Sequence, residues 1–338
     1  MKYKDSGVDI DKAGKALKSA GASIKDTWGA RVLSDVGAFG GLFDGAGLAK
    51  DPVLVSSIDG VGTKLKVAFA SGRHDTVGQC LVNHCVNDIL VQGAKPLFFL
   101  DYFATGGLED GVLENVIGGM SKACGENGCA LIAGETAEMP GLYSKGEYDL
   151  AGCIVGVVER DGVIDGSTCQ PGDRLMGFAS SGLHTNGYSL ARMALLDEGP
   201  YEVDSRPDEL GGVSVGEALL AVHRSYLKQF QAMVAAGIKV KGMAHLTGGG
   251  FTDNIPRVLP DGCGVRVQRG TWQVPHIFRL IQKLGGVDED EMHRAFNMGV
   301  GYIFIVAPED ANRVAELGLE HYIGEIGQVA RGEGVAYE

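Results

Sequence analysis

Two rounds of alternating apolar and amphipathic segments follow one another along the chain, separated by a polar stretch rich in turn residues. In the first round, apolar runs at 53–58, 97–103, 129–133 and 150–158 predict strands. Helical periodicity at 10–20, 76–91 and 109–126 predicts helices between and before them. The β-branched run at 53–58 reads as a buried strand ending at Asp59. Residues 159–173 combine glycine, proline and charge, and mark a domain boundary. The expected domains are therefore 1–168 and 169–338. After the boundary the pattern restarts with a strand at 174–180, helices at 187–197, 215–236 and 274–284, and a core strand at 300–306. The fold class is α/β, of the α+β type, in two domains. An acidic, proline- and glycine-bearing segment at 200–214 reads as a surface excursion.

Composition narrows the function. At 338 residues and 45% hydrophobic, the chain can bury a large core in each of two domains. Its 53 glycines show no period, which points to many tight turns and close backbone approaches rather than a repetitive chain. A net charge of −13 without a basic stripe argues against a nucleic-acid partner. Seven cysteines without a CxxC pair, and a start without an apolar targeting core, predict a reduced, cytoplasmic protein. The uncharged run at 296–308, 13 residues long, is too short to span a bilayer, which needs about 20 residues. No membrane association is expected.

The candidate chemistry starts at DGVGTK, residues 59–64. A carboxylate at a strand end, two glycines whose amides can approach phosphate oxygens, and a lysine form a plausible polyphosphate site. Asp59 would hold Mg²⁺, and a hard cation of that size calls for a second carboxylate from elsewhere. Asp88, near the end of the 76–91 helix, is that candidate. The competing readings are a turn opened by Asp59 and a solvated helix face carrying Asp88. Neither GxxxxGK[ST] nor GxGxxG is present, so the nucleotide would be held by another architecture.

In the second half, His184, Thr185 and Asn186 fall between a strand and a helix start, suited to an anion such as a ribose phosphate. The alternative is an Asn186 helix cap beside an exposed histidine. Thr247, Gly248, Gly249 and Gly250 resemble a nest of backbone amides for an oxyanion, or else a helix end followed by a turn. Glu135 and Glu138 follow a strand and either line the substrate cleft or cap a loop. His245 is a weaker candidate for reaching the metal–phosphate centre.

Beyond single motifs, DGVGTKL at 59–65, NDILVQGAKPLFFLDYFATG at 87–106, GETAEMPGLY at 134–143 and GLHTNGYSLAR at 182–192 resemble the signature blocks of phosphoribosylformylglycinamidine cyclo-ligase, or aminoimidazole ribonucleotide synthetase. YKDSGVDID at 3–11, GAFGGLF at 37–43, HLTGGGFTDNIPRVLP at 245–260, FNMGVG at 296–301 and IGEI at 323–326 extend the likeness in the family's order. Asp253 departs from it, standing where the family more often carries glutamate.

The resemblance implies ATP-dependent closure of formylglycinamidine ribonucleotide to 5-aminoimidazole ribonucleotide, releasing ADP and phosphate, in purine (IMP) biosynthesis. It also implies a homodimer whose amino-terminal domains build a β-barrel, with the carboxyl-terminal domain completing the active-site cleft. By motif, Asp59 and Asp88 carry Mg²⁺, and Gly60, Gly62, Thr63 and Lys64 face the ATP phosphates. Gly40 and Gly41 cover the nucleotide, and His184 is the general acid/base or phosphate contact. Two alternatives stay in view: another ATP-dependent phosphoryl-transfer enzyme of the same superfamily, and a non-catalytic nucleotide-binding protein.

Overall fold

The structure, a computed structural model, describes residues 10–338, so most of the block at 3–11 lies outside the described residues. The chain forms two compact units, residues 1–89 with 94–161, and 90–93 with 162–338. The division thus falls inside the polar stretch at 159–173.

The first unit opens with α1 (Ile10–Lys25), followed by β1 (Pro52–Gly60), α2 (Lys64–Ser71), α3 (Val77–Leu90), β2 (Lys95–Thr105), α4 (Val112–Asn127), β3 (Ala130–Glu138) and β4 (Tyr148–Glu159). Its four-stranded sheet has the order β1-β4-β2-β3. β2 and β3 run parallel, which the crossover through α4 makes possible, while β4 is antiparallel to both its neighbours. α3 is buried along its length except at Asp88, which is only partly accessible. A solvated helix face carrying Asp88 is therefore not what the fold builds.

The reading of residues 53–58 as a buried strand needs correction. β1 alternates, with Val53, Val55 and Ser57 partly covered and Leu54 and Ile58 left 66% and 73% exposed. It is an edge strand with only one face packed, so its apolar run reflects two different surfaces.

The second unit contains β5 (Arg174–Ala179), α5 (Tyr188–Arg192), α6 (Val215–Leu219), α7 (Leu227–Ala235), β6 (Val240–His245), α8 (Gly250–Asn254), β7 (Cys263–Val267), α9 (His276–Gly285), α10 (Glu289–Ala295), β8 (Val300–Val306), α11 (Pro308–Glu316), β9 (Tyr322–Arg331) and β10 (Val335–Tyr337). A six-stranded sheet runs β10-β7-β9-β5-β8-β6, antiparallel throughout except for the β10–β7 pair. Every residue of β8 is buried, as its uninterrupted apolar run predicts.

The single helix expected at 215–236 is two. Residues 220–226 leave the helix to clamp the end of β5: Tyr226 Oη donates to Ala179 O at 2.8 Å, and Arg224 Nη1 donates to Ala179 O and Ser180 O at 2.9 Å each. Apolar periodicity runs through the break because Leu219, Leu220 and Tyr226 are all buried. The long-range polar contacts that interrupt it leave no periodic signature.

Among the described residues none of the seven cysteines forms a disulfide. No described helix is long and apolar enough to cross a membrane.

Register across the first sheet brings two acids onto one face. Asp59 pairs with Gly152, and Gly152 with Asp101. Directly opposed residues share a face, so the Cα atoms of the two aspartates stand about 10 Å apart, two strand spacings of roughly 4.8 Å. Asp101 reaches a cavity of about 620 Å³ enclosed by α1, residues 35–40 and the sheet, with Leu17, Ile24, Ile117 and Leu131 in its walls. Its carboxyl lies so close to Gly134 that a Cβ there would collide with Oδ1. Burial pushes Asp101 up to about 7, against a smaller backbone hydrogen bond.

An acid with a raised pKa binds its proton more tightly when folded, so stability falls as pH rises from about 4, its unfolded value, to about 7. Asp101→Asn removes that dependence. Measured by urea unfolding without nucleotide, the variant should gain on the parent by up to ~1.4 kcal/mol per pH unit across this window. Parallel stability profiles would show that Asp101 is ionised normally.

Candidate active site

The first cluster forms where β1 ends beside α3. His84, 2% exposed, directs Nε2 at Asp59 Oδ2 at 2.8 Å and at Asp88 Oδ2 at 3.6 Å. Asp88 lies one turn after His84 on the same helix face, and its Oδ2 also accepts from Ser57 Oγ at 3.0 Å. The two predicted metal ligands, distant in sequence, thus share one imidazole. Burial favours the neutral form of Asp59, but the His84 hydrogen bond and charge, with the Gly60 N–H, hold it below the usual carboxylate range. Burial likewise opposes charge on His84, and the two aspartates outweigh it and raise its pKa. The donor set of two carboxylates and a serine hydroxyl, all oxygen, fits a hard divalent cation that also binds substrate oxygens.

The DGVGTK loop is arranged less simply than its motif suggests. Gly60 N–H donates to the Asp59 carboxylate at 2.6 Å. Gly62 takes φ +56°, a conformation glycine adopts freely, and leads into exposed Thr63 at the start of α2. Lys64 is fully buried, with Nζ 3.2 Å from Cys80 Sγ, and burial lowers its pKa. The expected open charge facing phosphate is thus directed inward, because the first turn of α2 turns this side chain into the core. Gly40 and Gly41 belong to an exposed loop; Gly40 borders the 620 Å³ cavity, and a Cβ on Gly41 would stand 2.7 Å from Ile132. Glu135 is exposed on β3, whereas Glu138 accepts from Leu108 N–H at 3.0 Å and so does cap a loop.

The second cluster lies at the ends of β5 and β6. His184 is 1% exposed and takes φ +63°, unusual for a residue with a side chain. Its Nε2 accepts from Ser181 N–H at 3.2 Å. Its ring stacks on that of His223, with centroids 3.9 Å apart and planes at 19°. His223 Nδ1 is 3.3 Å from Thr185 Oγ1, and its Nε2 is 3.0 Å from Nε2 of buried His245. Gly301 makes room for the stack, since a Cβ there would collide with Tyr226 Oη and crowd His184 Cε1 at 2.6 Å.

The alternative of an exposed histidine beside an Asn186 cap is excluded. Gly187 caps α5, and Asn186 Nδ2 instead donates to Thr185 Oγ1 at 3.4 Å. Since α5 is only one turn long before a π-turn at 193–197, it is side chains rather than a helix dipole that this loop offers an anion.

The glycine loop sits against the same residues. A Cβ on Gly248 would be 3.2 Å from Asn186 Oδ1, so the 184–186 and 247–250 loops meet within this unit. Gly249 and Gly250 have φ +95° and +55°, and the loop precedes α8 rather than ending a helix. Asn254 Nδ2 braces it from behind, donating to Gly250 O at 2.8 Å and Gly248 O at 3.2 Å. Asp253 points toward Arg294 at 3.9 Å.

His84 and His223 are the residues that motif reading missed. His84 carried a usable signal, since His and Asp four apart lie on one helical face. His223 carried none, being hidden in a stretch that reads as helix.

Residues 43–158 match the family model described as AIR synthase related protein, N-terminal domain, and residues 170–338 match the corresponding C-terminal domain. A phosphoribosylformylglycinamidine cyclo-ligase of Thermoanaerobacter sp. (strain X514) is 49% identical over 338 residues, spanning 99% of each chain. The protein of that name from Sorangium cellulosum (strain So ce56) is 52% identical over 315 residues, covering 93% of this chain and 90% of its own.

Among solved structures, thiamine-monophosphate kinase from Stenotrophomonas maltophilia K279a superposes with a TM-score of 0.69 at 17% identity over 96% of each chain. E. coli HypE, a hydrogenase maturation protein, gives 0.66 at 18% identity over 96% of this chain and 94% of its own. These two show a shared fold; the near full-length sequence matches show more. The chain belongs to the phosphoribosylformylglycinamidine cyclo-ligase family of AIR synthase related proteins, ATP-dependent ligases of purine biosynthesis.

Proposed function

We propose that Asp59 and Asp88 hold Mg²⁺ on the ATP polyphosphate, and that Gly60, Gly62 and Thr63 contact the phosphates. The observation that carries this reading is the convergence of both carboxylates on His84 Nε2, at 2.8 and 3.6 Å. In the absence of metal, that imidazole offsets part of their mutual repulsion. Bound there, the ion would neutralise charge on the transferring phosphoryl group. Lys64, directed at Cys80, then acts on this loop from within the core rather than as a direct phosphate contact. Gly40 and Gly41 cover the nucleotide, a role supported by their place beside the cavity and Ile132.

The 184–186 loop, with Thr247 to Gly250, takes the 5′-phosphate of formylglycinamidine ribonucleotide. Hydroxyl, amide and glycine backbone donors suit a phosphate ester without a helix dipole. Glu135 is available to the amidine. The formyl amide oxygen attacks the γ-phosphorus and ADP leaves, giving an iminophosphate. The amidine nitrogen then closes the five-membered ring, loses a proton, and expels the oxygen as inorganic phosphate. His184, buried and held by Ser181 and His223, belongs to the phosphate-binding group rather than serving as an exposed acid/base.

A second copy of the chain covers the open sheet face. Leu54 and Ile58 on β1 are 66% and 73% exposed, and Tyr102 on β2, across β4 from them, is 38% exposed, an apolar surface that association would bury. Cysteines that form no disulfide among the described residues and a place in purine synthesis support a cytoplasmic enzyme.

Three outcomes follow. Asp59→Asn and Asp88→Asn should each lower turnover by roughly 10²-fold at limiting Mg²⁺, with circular dichroism unchanged; wild-type turnover in both removes the metal assignment. Substrate carrying ¹⁸O in the formyl group should deliver the label to inorganic phosphate, and label recovered in water would rule out attack on ATP by that oxygen. Ile58→Asp should shift sedimentation from dimer to monomer, since a charge would be buried unpaired at the contact. A dimer that persists in this variant places the contact elsewhere.

A further inference from the structure

Three buried imidazoles, those of His184, His223 and His245, stand together in the second unit with their nearest nitrogens within 4.8 Å of one another. A metal is the first chemistry such a group suggests, but the geometry opposes it. The rings of His184 and His223 are stacked at 19°, so their in-plane lone pairs run side by side instead of converging on one ion. His184 Nε2 also accepts the Ser181 N–H, which puts the proton of a neutral ring on Nδ1, where a metal would need a lone pair. The array is built for hydrogen bonds.

We propose that His223 is a positioning residue for the phosphate end of the ribonucleotide, fixing the direction of the Thr185 hydroxyl and the plane of His184. This rests on the assignment of the 184–186 loop to that phosphate. A neutral His223 has one N–H, for which Thr185 Oγ1 at 3.3 Å and His245 Nε2 at 3.0 Å compete. With the proton on Nε2, it donates to His245, and Nδ1 accepts from the Thr185 hydroxyl. Thr185 then turns only lone pairs toward the loop, which repels an anion. With the proton on Nδ1, His223 donates to Thr185 Oγ1 and His245 donates to His223. Asn186 Nδ2 supplies a second donor to Thr185 Oγ1 at 3.4 Å, and the hydroxyl proton is released to point at a phosphate oxygen.

A phosphate only accepts at these positions, so binding selects the second arrangement. The array keeps the same number of protons and no net charge: Thr185 retains its hydroxyl proton, while His223 trades its Nε2 proton for one on Nδ1 and His245 trades Nδ1 for Nε2, both by exchange with water. The stack on His184 contributes orientation independently, since it holds that ring flat while the backbone takes φ +63°.

Two variants separate the hydrogen bonds from the stack. His223→Phe keeps a flat ring against His184 and removes both hydrogen bonds, while His223→Gln keeps a planar donor and acceptor. The phenylalanine variant should raise KM for formylglycinamidine ribonucleotide about tenfold or more, the worth of one hydrogen bond to a charged group, with KM for ATP within about twofold. Glutamine should recover most of the loss.

In the full-length wild-type protein labelled with ¹⁵N-histidine, adding ribose 5-phosphate should move His223 from the Nε2–H to the Nδ1–H tautomer. An unchanged ribonucleotide KM in His223→Phe, or an Nε2–H ring in the phosphate complex, overturns the inference. So does stoichiometric Zn²⁺ uptake by the wild type that is lost in His223→Phe. Thr185→Ala tells the two levels apart. If it raises KM while His223→Phe does not, only the role of His223 fails; if neither does, the phosphate assignment fails as well.

Discussion

Two carboxylates of like charge cannot be brought together in a partly buried site unless something offsets their repulsion, and here one imidazole does so for both. Asp59 comes from the end of an edge strand and Asp88 from a helix, and His84 reaches each of them from within α3. For that to happen α3 must be sunk against the sheet, which is why it is buried on nearly every side. The sheet accommodates it through Gly152, where a Cβ would strike the Phe99 ring and crowd Leu81 at 3.0 Å. Packing of an apolar helix and placement of a charged pair are thus a single constraint. A hard cation entering the site would take over the neutralisation that His84 provides.

In the reading proposed for the second unit, the problem is the opposite one, that of presenting donors to an anion. The side chains there are held from behind: His223 and His245 behind Thr185, and Asn254 behind the glycine turn. Buried neutral donors avoid the desolvation cost of a buried lysine or arginine, at the expense of needing every proton correctly directed. The close approaches required for this fall on glycines: Gly301 admits the His184 ring, and Gly248 admits Asn186. The glycine-rich composition visible in the sequence is explained at these positions by the space they leave.

Legibility in the sequence followed the range of the interaction responsible. The strand at 300–306 and the helix at 76–91 were readable because each is dominated by one environment along its whole length. β1 was misread because an apolar run cannot tell a strand covered on both faces from one with an open apolar face. The break at 220–226 was invisible because hydrogen bonds to Ala179 and Ser180, distant in the chain, hold it. At the site, Asp59 stood out through its glycine-rich neighbours and Asp88 through its place near a helix end, but the direction of Lys64 was hidden, since motif proximity says nothing of which way a first helical turn directs its side chain.

The relation to thiamine-monophosphate kinase and HypE sets a limit on what such a fold determines. Superposition over nearly the whole chain survives at 17–18% identity, so the two-sheet framework tolerates wide replacement of its side chains. What distinguishes one chemistry from another must then reside in loops at the ends of strands. In this chain those loops differ in charge: acids and a shared imidazole at the end of β1, and hydroxyl, amide and imidazole groups without a carboxylate among those described at the ends of β5 and β6. On the proposed reading, the first takes a metal-bound polyphosphate and the second a singly esterified phosphate. A substrate carrying its own phosphate alongside ATP presents two anions of different charge, and loops that differ in their own charge are a physical way to discriminate between them.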